Sequence, residues 1–267
     1  MSTLFPVGHV LKGRIGQYVI SKQLQETVWL AKLVLPLRAP RTLARGLDMY
    51  LILTSTNDRN HVQQLVIVKS VLNHPRVANE RDVLARFTGQ SPYVRPMVDE
   101  IVEPAEPVTI VLRHLDSTLL RASIEKTLTR KELKYVSRRI LDVLRVMHSE
   151  GFVHADIKPD NVMVNYGSNK TDNRFTDVQL ADFGGSLPED HEHARKGTPI
   201  GAAIWRSPES LFGMSWDVKT DIWSFGTLVN KFSLIVPALI NANQISRLDS
   251  SSASSTGPTS TFSVHQA

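Results

Sequence analysis

The sequence predicts an α+β fold, with a β-rich amino-terminal part and a helical carboxy-terminal part. Two observations carry this. Short runs rich in β-branched and aromatic residues dominate the chain up to about residue 115. Beyond them, Leu133, Val136, Ile140, Val143, Leu144 and Met147 recur at helical spacing behind a capping-box pattern, Thr129-Arg130-Lys131-Glu132. With 267 residues, 42% apolar and 21% charged, the chain has the balance of a globular protein with a core of ordinary size.

Taken in order, Tyr18–Ile20 and Thr27–Ala31 read as strands, joined by Ser21–Glu26, a connection without glycine. Residues 36–48 are punctuated by Pro, Arg and Gly and read as a loop, and Met49–Thr54 reads as an extra strand. Leu65-Val66-Ile67-Val68-Lys69 is an apolar strand ending in lysine. After Pro75, the spacing of Val83, Leu84 and Phe87 predicts a helix, with Glu80 one turn before Leu84. Val94–Val102 and Val108–Leu112 read as two further strands. The long helix from Thr129 stops near Gly151 and leads into a short strand, Phe152–Val153. Val162–Val164 and Val178–Ala181 are strands on either side of a polar hairpin loop, Tyr166–Thr176. Pro237 breaks the last helix, and residues 237–267 read as a disordered tail that is Ser/Thr-rich over 248–267.

Composition excludes several chemistries. There are no cysteines, so disulfides, Cys-ligated zinc and thiol catalysis are ruled out. No apolar run is long enough to span a bilayer, and the first residues lack the charged-then-apolar order of a signal peptide. An intracellular location is the expectation. The net charge is +5, with Lys12, Arg14, Lys22, Lys32, Arg38, Arg41 and Arg45 early in the chain. No nucleic-acid partner is expected, because aromatic residues are not interleaved with these charges as a base-stacking surface requires.

The chemistry-bearing segment is His154-Ala155-Asp156-Ile157-Lys158-Pro159-Asp160-Asn161. It is followed by Asp182-Phe183-Gly184, Ser207-Pro208-Glu209 and Asp221-Ile222-Trp223-Ser224-Phe225-Gly226. This ordered set resembles the catalytic lobe of eukaryotic protein kinases. The wording of Asn79–Phe225 is most similar to a group of fungal serine/threonine kinase-like proteins. The resemblance implies a bilobal kinase-like fold: an extension over 1–17, an amino-terminal lobe over 18–115, and a truncated helical carboxy-terminal lobe over 116–236. It also implies ATP and Mg²⁺ as cofactors and a protein serine or threonine as phosphoryl acceptor.

On this resemblance Asp156 is the base that orients the acceptor hydroxyl, Asn161 and Asp182 are the metal ligands, and Lys158 is a cation near the transferred phosphate. Lys69 pairs with the ATP phosphates and with Glu80. Val28 and Ile67 cover the adenine from above and Met163 meets it from below. Leu112-Arg113-His114-Leu115 matches the hinge, with Leu112 and His114 among the nucleotide-binding residues. His154 packs beneath Phe183, with Leu84 continuing the stack. The Asp221 carboxylate binds backbone N–H groups of the catalytic loop.

The chain also departs from the family pattern. The first hairpin has no glycine-rich loop, and Ile67 replaces a usual alanine. Ala155 stands where many kinases carry an arginine that binds a phosphorylated loop residue, and Ala202 stands where a threonine touches the catalytic aspartate. Two other readings therefore stand beside the enzyme: a pseudokinase-like binding module, and a small-molecule kinase. The second is weakened by the Ser-Pro-Glu and Asp-x-Trp-Ser-x-Gly segments. The protein substrate and oligomeric state are not legible.

Overall fold

A computed structural model describes residues 4–34, 64–167 and 173–232. The loop expected over 36–48, the strand expected at Met49–Thr54 and the tail expected over 237–267 lie outside the described residues.

The amino-terminal lobe is a curled antiparallel sheet. Its strands are β1 (Val10–Gly13), β2 (Gln17–Gln25), β3 (Val28–Val34), β4 (Leu65–Ser70), β5 (Met97–Glu103) and β6 (Thr109–Arg113), in spatial order β1-β2-β3-β4-β6-β5. Side chains alternate between its two faces. Tyr18, Ile20, Trp29, Ala31, Leu33, Val66, Val68 and Val111 point to one side and form a closed apolar cluster with Phe5, Leu11, Val98 and Ile101. The intervening residues Val28, Leu30, Ile67 and Leu112 face the other side and join the larger core between the lobes. The same alternation carries Lys69, two residues after Ile67, to that inner face.

Two sequence expectations are corrected here. Ser21–Gln25 is not a loop: β2 runs on to Gln25, with Lys22 opposite Leu30, Gln23 opposite Trp29 and Gln25 opposite Val28. Two register shifts along this pair absorb the sheet's twist, so pairing continues until only Glu26 and Thr27 are left for the turn. The Gln23 side-chain amide donates to the Glu26 carbonyl at 3.2 Å and closes the turn. The extension expected over 1–17 is not separate from the lobe either. Val10–Gly13 pairs with β2, because Leu11 buries completely in the outer cluster.

Helix α1 (Arg76–Phe87) packs on the inner face of the sheet and buries Val77, Glu80, Val83, Leu84 and Phe87. In the carboxy-terminal lobe, β7 (Ser117–Thr118) leads into α2 (Leu119–Glu125), a short helix absent from the sequence expectations. The Thr118 hydroxyl caps it by accepting from the Arg121 N–H at 3.2 Å. Helix α3 (Arg130–Ser149) starts at the expected capping box. The Glu132 N–H donates to the Thr129 hydroxyl at 3.1 Å, and the Thr129 N–H donates to the Glu132 carboxylate at 2.8 Å. Its apolar stripe of Val136, Ile140, Val143, Leu144 and Met147 enters the main core.

Strand β8 (Phe152–Val153) follows, then the catalytic-loop segment, then the hairpin β9 (Val162–Tyr166) and β10 (Phe175–Leu180). After β11 (Leu187–Pro188) come α4 (Glu192–Arg195), α5 (Pro208–Leu211) and α6 (Lys219–Asn230). No helix among the described residues is long and apolar enough to cross a membrane.

Candidate active site

The two lobes meet at a cleft of about 670 Å³, a size that holds a nucleotide-scale ligand. Val28 and Ile67 from the sheet, Leu112 from the end of β6, and Met163 from β9 supply apolar lining. Lys69, Glu80, Lys158, Asn161 and Asp182 supply its polar end. His114 is not among the lining residues. It lies just past β6, half-buried, where burial and the nearby Arg95 cation hold its imidazole below the usual histidine value.

The polar end is assembled from distant parts of the chain. Lys69 Nζ lies 2.6 Å from a Glu80 carboxylate oxygen and 2.7 Å from Asp182 Oδ1. One ammonium from the sheet thus ties α1 to the segment after β10. Glu80 is fully buried and its position within the apolar stripe of α1 aims it inward. Asp182 itself adopts a left-handed backbone conformation, φ 64° and ψ 65°, which turns its carboxylate back toward the cleft. Burial pushes the Asp182 carboxyl up, but Lys69 and Arg76 outweigh it and hold the group well below the ordinary carboxylate range.

Asp156 is not among the lining residues of the cleft, but its Oδ2 accepts from two that are: Lys158 Nζ at 2.7 Å and the Asn161 side-chain amide at 2.9 Å. The same amide nitrogen also donates to the Asp156 carbonyl at 2.8 Å. Asn161 is thereby oriented so that its nitrogen braces the loop and its carbonyl oxygen is left as an acceptor. Asp156 instead lines a small recess beside Ile200–Ala202. Gly201 permits the close approach there: its φ is +64°, and a Cβ on it would stand 2.6 Å from the Ala155 carbonyl oxygen.

The loop is held from below. Asp221, fully buried at the start of α6, accepts from the His154 N–H at 2.8 Å and the Ala155 N–H at 3.0 Å. His148 Nε2 lies 2.9 Å from the same carboxylate. Ala155 takes φ 70°, a conformation that costs an ordinary L-residue about 1–2 kcal/mol. The His154 ring meets Phe183 edge-on at 4.9 Å. The Asp156 N–H donates to His154 Nδ1 at 3.3 Å, so that nitrogen is unprotonated and Nε2 carries the hydrogen toward the Ala181 carbonyl at 3.2 Å. Burial lowers the His154 pKa in the same sense, despite three nearby aspartates, so His154 packs as a neutral ring.

Two arginines were missed in the sequence. Arg76 opens α1, and its Nη2 donates to Asp182 Oδ2 at 2.9 Å and lies 3.9 Å from Asp156 Oδ2. The signal was present: Arg76 precedes Glu80 by four residues, so a helix places both on one side. Arg95, 8% exposed, lines the cleft and donates from Nε to the Arg113 carbonyl at 2.8 Å. Burial lowers its pKa to about 10, against the pull of Glu80 and Asp182. Nothing in its Val-Arg-Pro context distinguishes it from a surface arginine.

An oxygen-rich donor pair, the Asn161 carbonyl and the Asp182 carboxylate, suits a hard divalent ion such as Mg²⁺, which takes few protein ligands when phosphates and water supply the rest. Among the described residues no group of three or more His, Cys, Asp or Glu is placed to hold a metal by itself. The donors therefore fit Mg²⁺ only as partners of a phosphate-bearing ligand, and Arg76 already engages one of Asp182's oxygens.

Residues 54–256 match the protein kinase domain family. "Serine/threonine-protein kinase 4 homolog A" of Dictyostelium discoideum is 31% identical over 167 residues, covering 61% of this chain and 34% of that protein. "Serine/threonine-protein kinase STE20" of Debaryomyces hansenii is 22% identical over 196 residues, 72% of this chain and 17% of that protein. "Serine/threonine-protein kinase CLA4" of Eremothecium gossypii is 21% identical over 215 residues, 76% and 25% respectively. The chain thus spans about a third or less of the length of these relatives.

Proposed function

The chain belongs to the protein kinase domain family, and on that premise we propose that it transfers the γ-phosphoryl group of ATP to a serine or threonine of a protein substrate. The observation that carries this reading is the Lys69 ammonium, placed between Glu80 at 2.6 Å and Asp182 at 2.7 Å at the polar end of an apolar cleft.

In this reading, Val28, Ile67, Leu112 and Met163 enclose the base, and Lys69 faces the phosphates. Asp156 accepts the proton of the incoming hydroxyl, from a position beside the recess along Ile200–Ala202. Lys158, on the same carboxylate, places positive charge where the transferred group passes. By the family pattern Asn161 and Asp182 would hold Mg²⁺, but Lys69 and Arg76 already engage both Asp182 oxygens. When bound, the ion offsets the negative charge of the triphosphate.

A second reading is a binding module without turnover. It is supported by the two-residue Glu26–Thr27 turn, which has no glycine and no length with which to fold over phosphates. The experiment that separates the two is a thermal-shift titration with ATP, with and without Mg²⁺, followed by phosphate transfer to a generic protein substrate. The enzyme reading expects turnover that falls about 10²–10⁴-fold in Asp156→Asn. Stabilisation by nucleotide without turnover selects the binding module. No stabilisation at millimolar nucleotide removes the enzyme and the nucleotide-binding module and leaves an inert pseudokinase fold.

A further inference from the structure

Arg76 is not among the residues to which the kinase reading gives a role, yet it contacts the metal-facing side of the site directly. Its Nη2 lies 2.9 Å from Asp182 Oδ2, while Lys69 takes Asp182 Oδ1 at 2.7 Å. Both oxygens of that carboxylate are therefore engaged by cations of the chain itself. The same Nη2 is 3.9 Å from Asp156 Oδ2, so the guanidinium lies near both aspartates.

The side chain is seated there by packing as well as charge. A Cβ on Gly184 would fall 2.5 Å from Arg76 Cγ and 3.0 Å from its Nε, so only glycine lets the arginine stem lie against this loop. Asn79, on the same helix, donates from Nδ2 to the Gly184 carbonyl at 3.2 Å and the Ser186 carbonyl at 2.9 Å, which fixes helix and loop together. Arg76 remains partly open to the cleft, with 42% of its side chain exposed. A guanidinium in this place does part of what a divalent ion does: it neutralises the carboxylates and presents N–H donors to phosphate oxygens.

We propose that Arg76 is the resident counter-cation of this site, that it keeps divalent metal off Asp182, and that the cleft binds nucleotide phosphates without requiring a divalent ion. This rests on Asp182 facing the phosphate end of the cleft, as in the function proposed above. The test has two arms, each on the whole chain. The first titrates Mn²⁺ alone, followed by electron paramagnetic resonance, into the wild type, Arg76→Met, and Arg76→Met combined with Asp182→Asn. Methionine keeps an unbranched stem against Gly184 and removes the charge. Arg76→Met is expected to bind Mn²⁺ at least about tenfold more tightly than the wild type, and the gain should vanish when Asp182 is also replaced. Equal Mn²⁺ affinity in wild type and Arg76→Met, including no detectable binding in either, overturns the proposal.

The second arm measures a fluorescent ATP analogue with EDTA and with Mg²⁺. Wild-type affinity should differ by less than about threefold between the two conditions, whereas Arg76→Met should lose about tenfold in EDTA and recover most of it with Mg²⁺. A wild type that needs Mg²⁺ by tenfold or more overturns the proposal. Nucleotide that binds no form of the protein, alongside the expected Mn²⁺ result, removes the claim on phosphates and the kinase reading but leaves Arg76 as the group excluding metal. Arg76→Lys serves as the folding control, since it keeps the charge and loses only the fork.

Discussion

At the scale of single residues, the cleft depends on a few buried polar groups whose partners are all specified. Asp221 is the plainest case. It is fully buried, it accepts two backbone N–H groups from His154 and Ala155, and it meets His148. Replacing Asp221 with Ala leaves those donors without a partner in the interior, and the expected cost is about 1–3 kcal/mol, read as a lower urea midpoint with an unchanged slope. One of the donors it releases belongs to Ala155, the residue that carries positive φ, so the loop bearing Asp156 should also loosen. The motif around Asp221 was legible in the sequence from its Asp-x-Trp-Ser-x-Gly pattern. The left-handed backbone at Ala155 was not, since alanine carries no local preference for it.

At the scale of elements, α1 does more than the sequence revealed. Helical spacing made its apolar stripe legible, and the kinase resemblance paired Lys69 with Glu80. In the structure, alternation along β4 sets Lys69 on the face of Ile67, 2.6 Å from the Glu80 carboxylate. Glu80→Gln removes a fully buried carboxylate from that pair. Because Asp182 still partners Lys69, the expected loss is about 1–3 kcal/mol, below the usual cost of breaking a buried ion pair. A loss of 4 kcal/mol or more in chemical denaturation would mean that Glu80 alone compensates the lysine. The first hairpin shows the opposite limit. Ser21–Gln25 has weak strand propensity, and it becomes strand only because Trp29 and Leu30 across from it hold the register.

At the scale of the molecule, the lobes are joined through charge as well as apolar packing, and this should be visible in the pH dependence of stability. Burial alone would raise the Asp182 carboxyl, but Lys69 and Arg76 hold it below its unfolded value. The unfolded chain therefore takes up the proton first as pH falls. The stability from this group is fully present above the unfolded pKa of about 3.9, and is lost as pH falls from there through the folded pKa. Asp182→Asn should be less stable than the wild type at pH 7 and should show a shallower decline below pH 4 in acid titrations followed by far-ultraviolet circular dichroism. Parallel acid limbs in the two proteins would place the lobe-joining charge elsewhere.

The sequence by itself determined most of the elements, the family resemblance and the identity of several cleft residues, Lys69, Glu80, Asn161 and Asp182 among them, because strand alternation, helix periodicity and ordered motifs are local properties of the chain. Only the tertiary structure decided that β1 joins the sheet, that the first hairpin closes in two residues, that His114 stands outside the cleft lining, and that Arg76 reaches Asp182. Each of these depends on a contact between groups far apart in the chain. Arg76 and Asp182 are 106 positions apart, and no pattern on either segment announces the other.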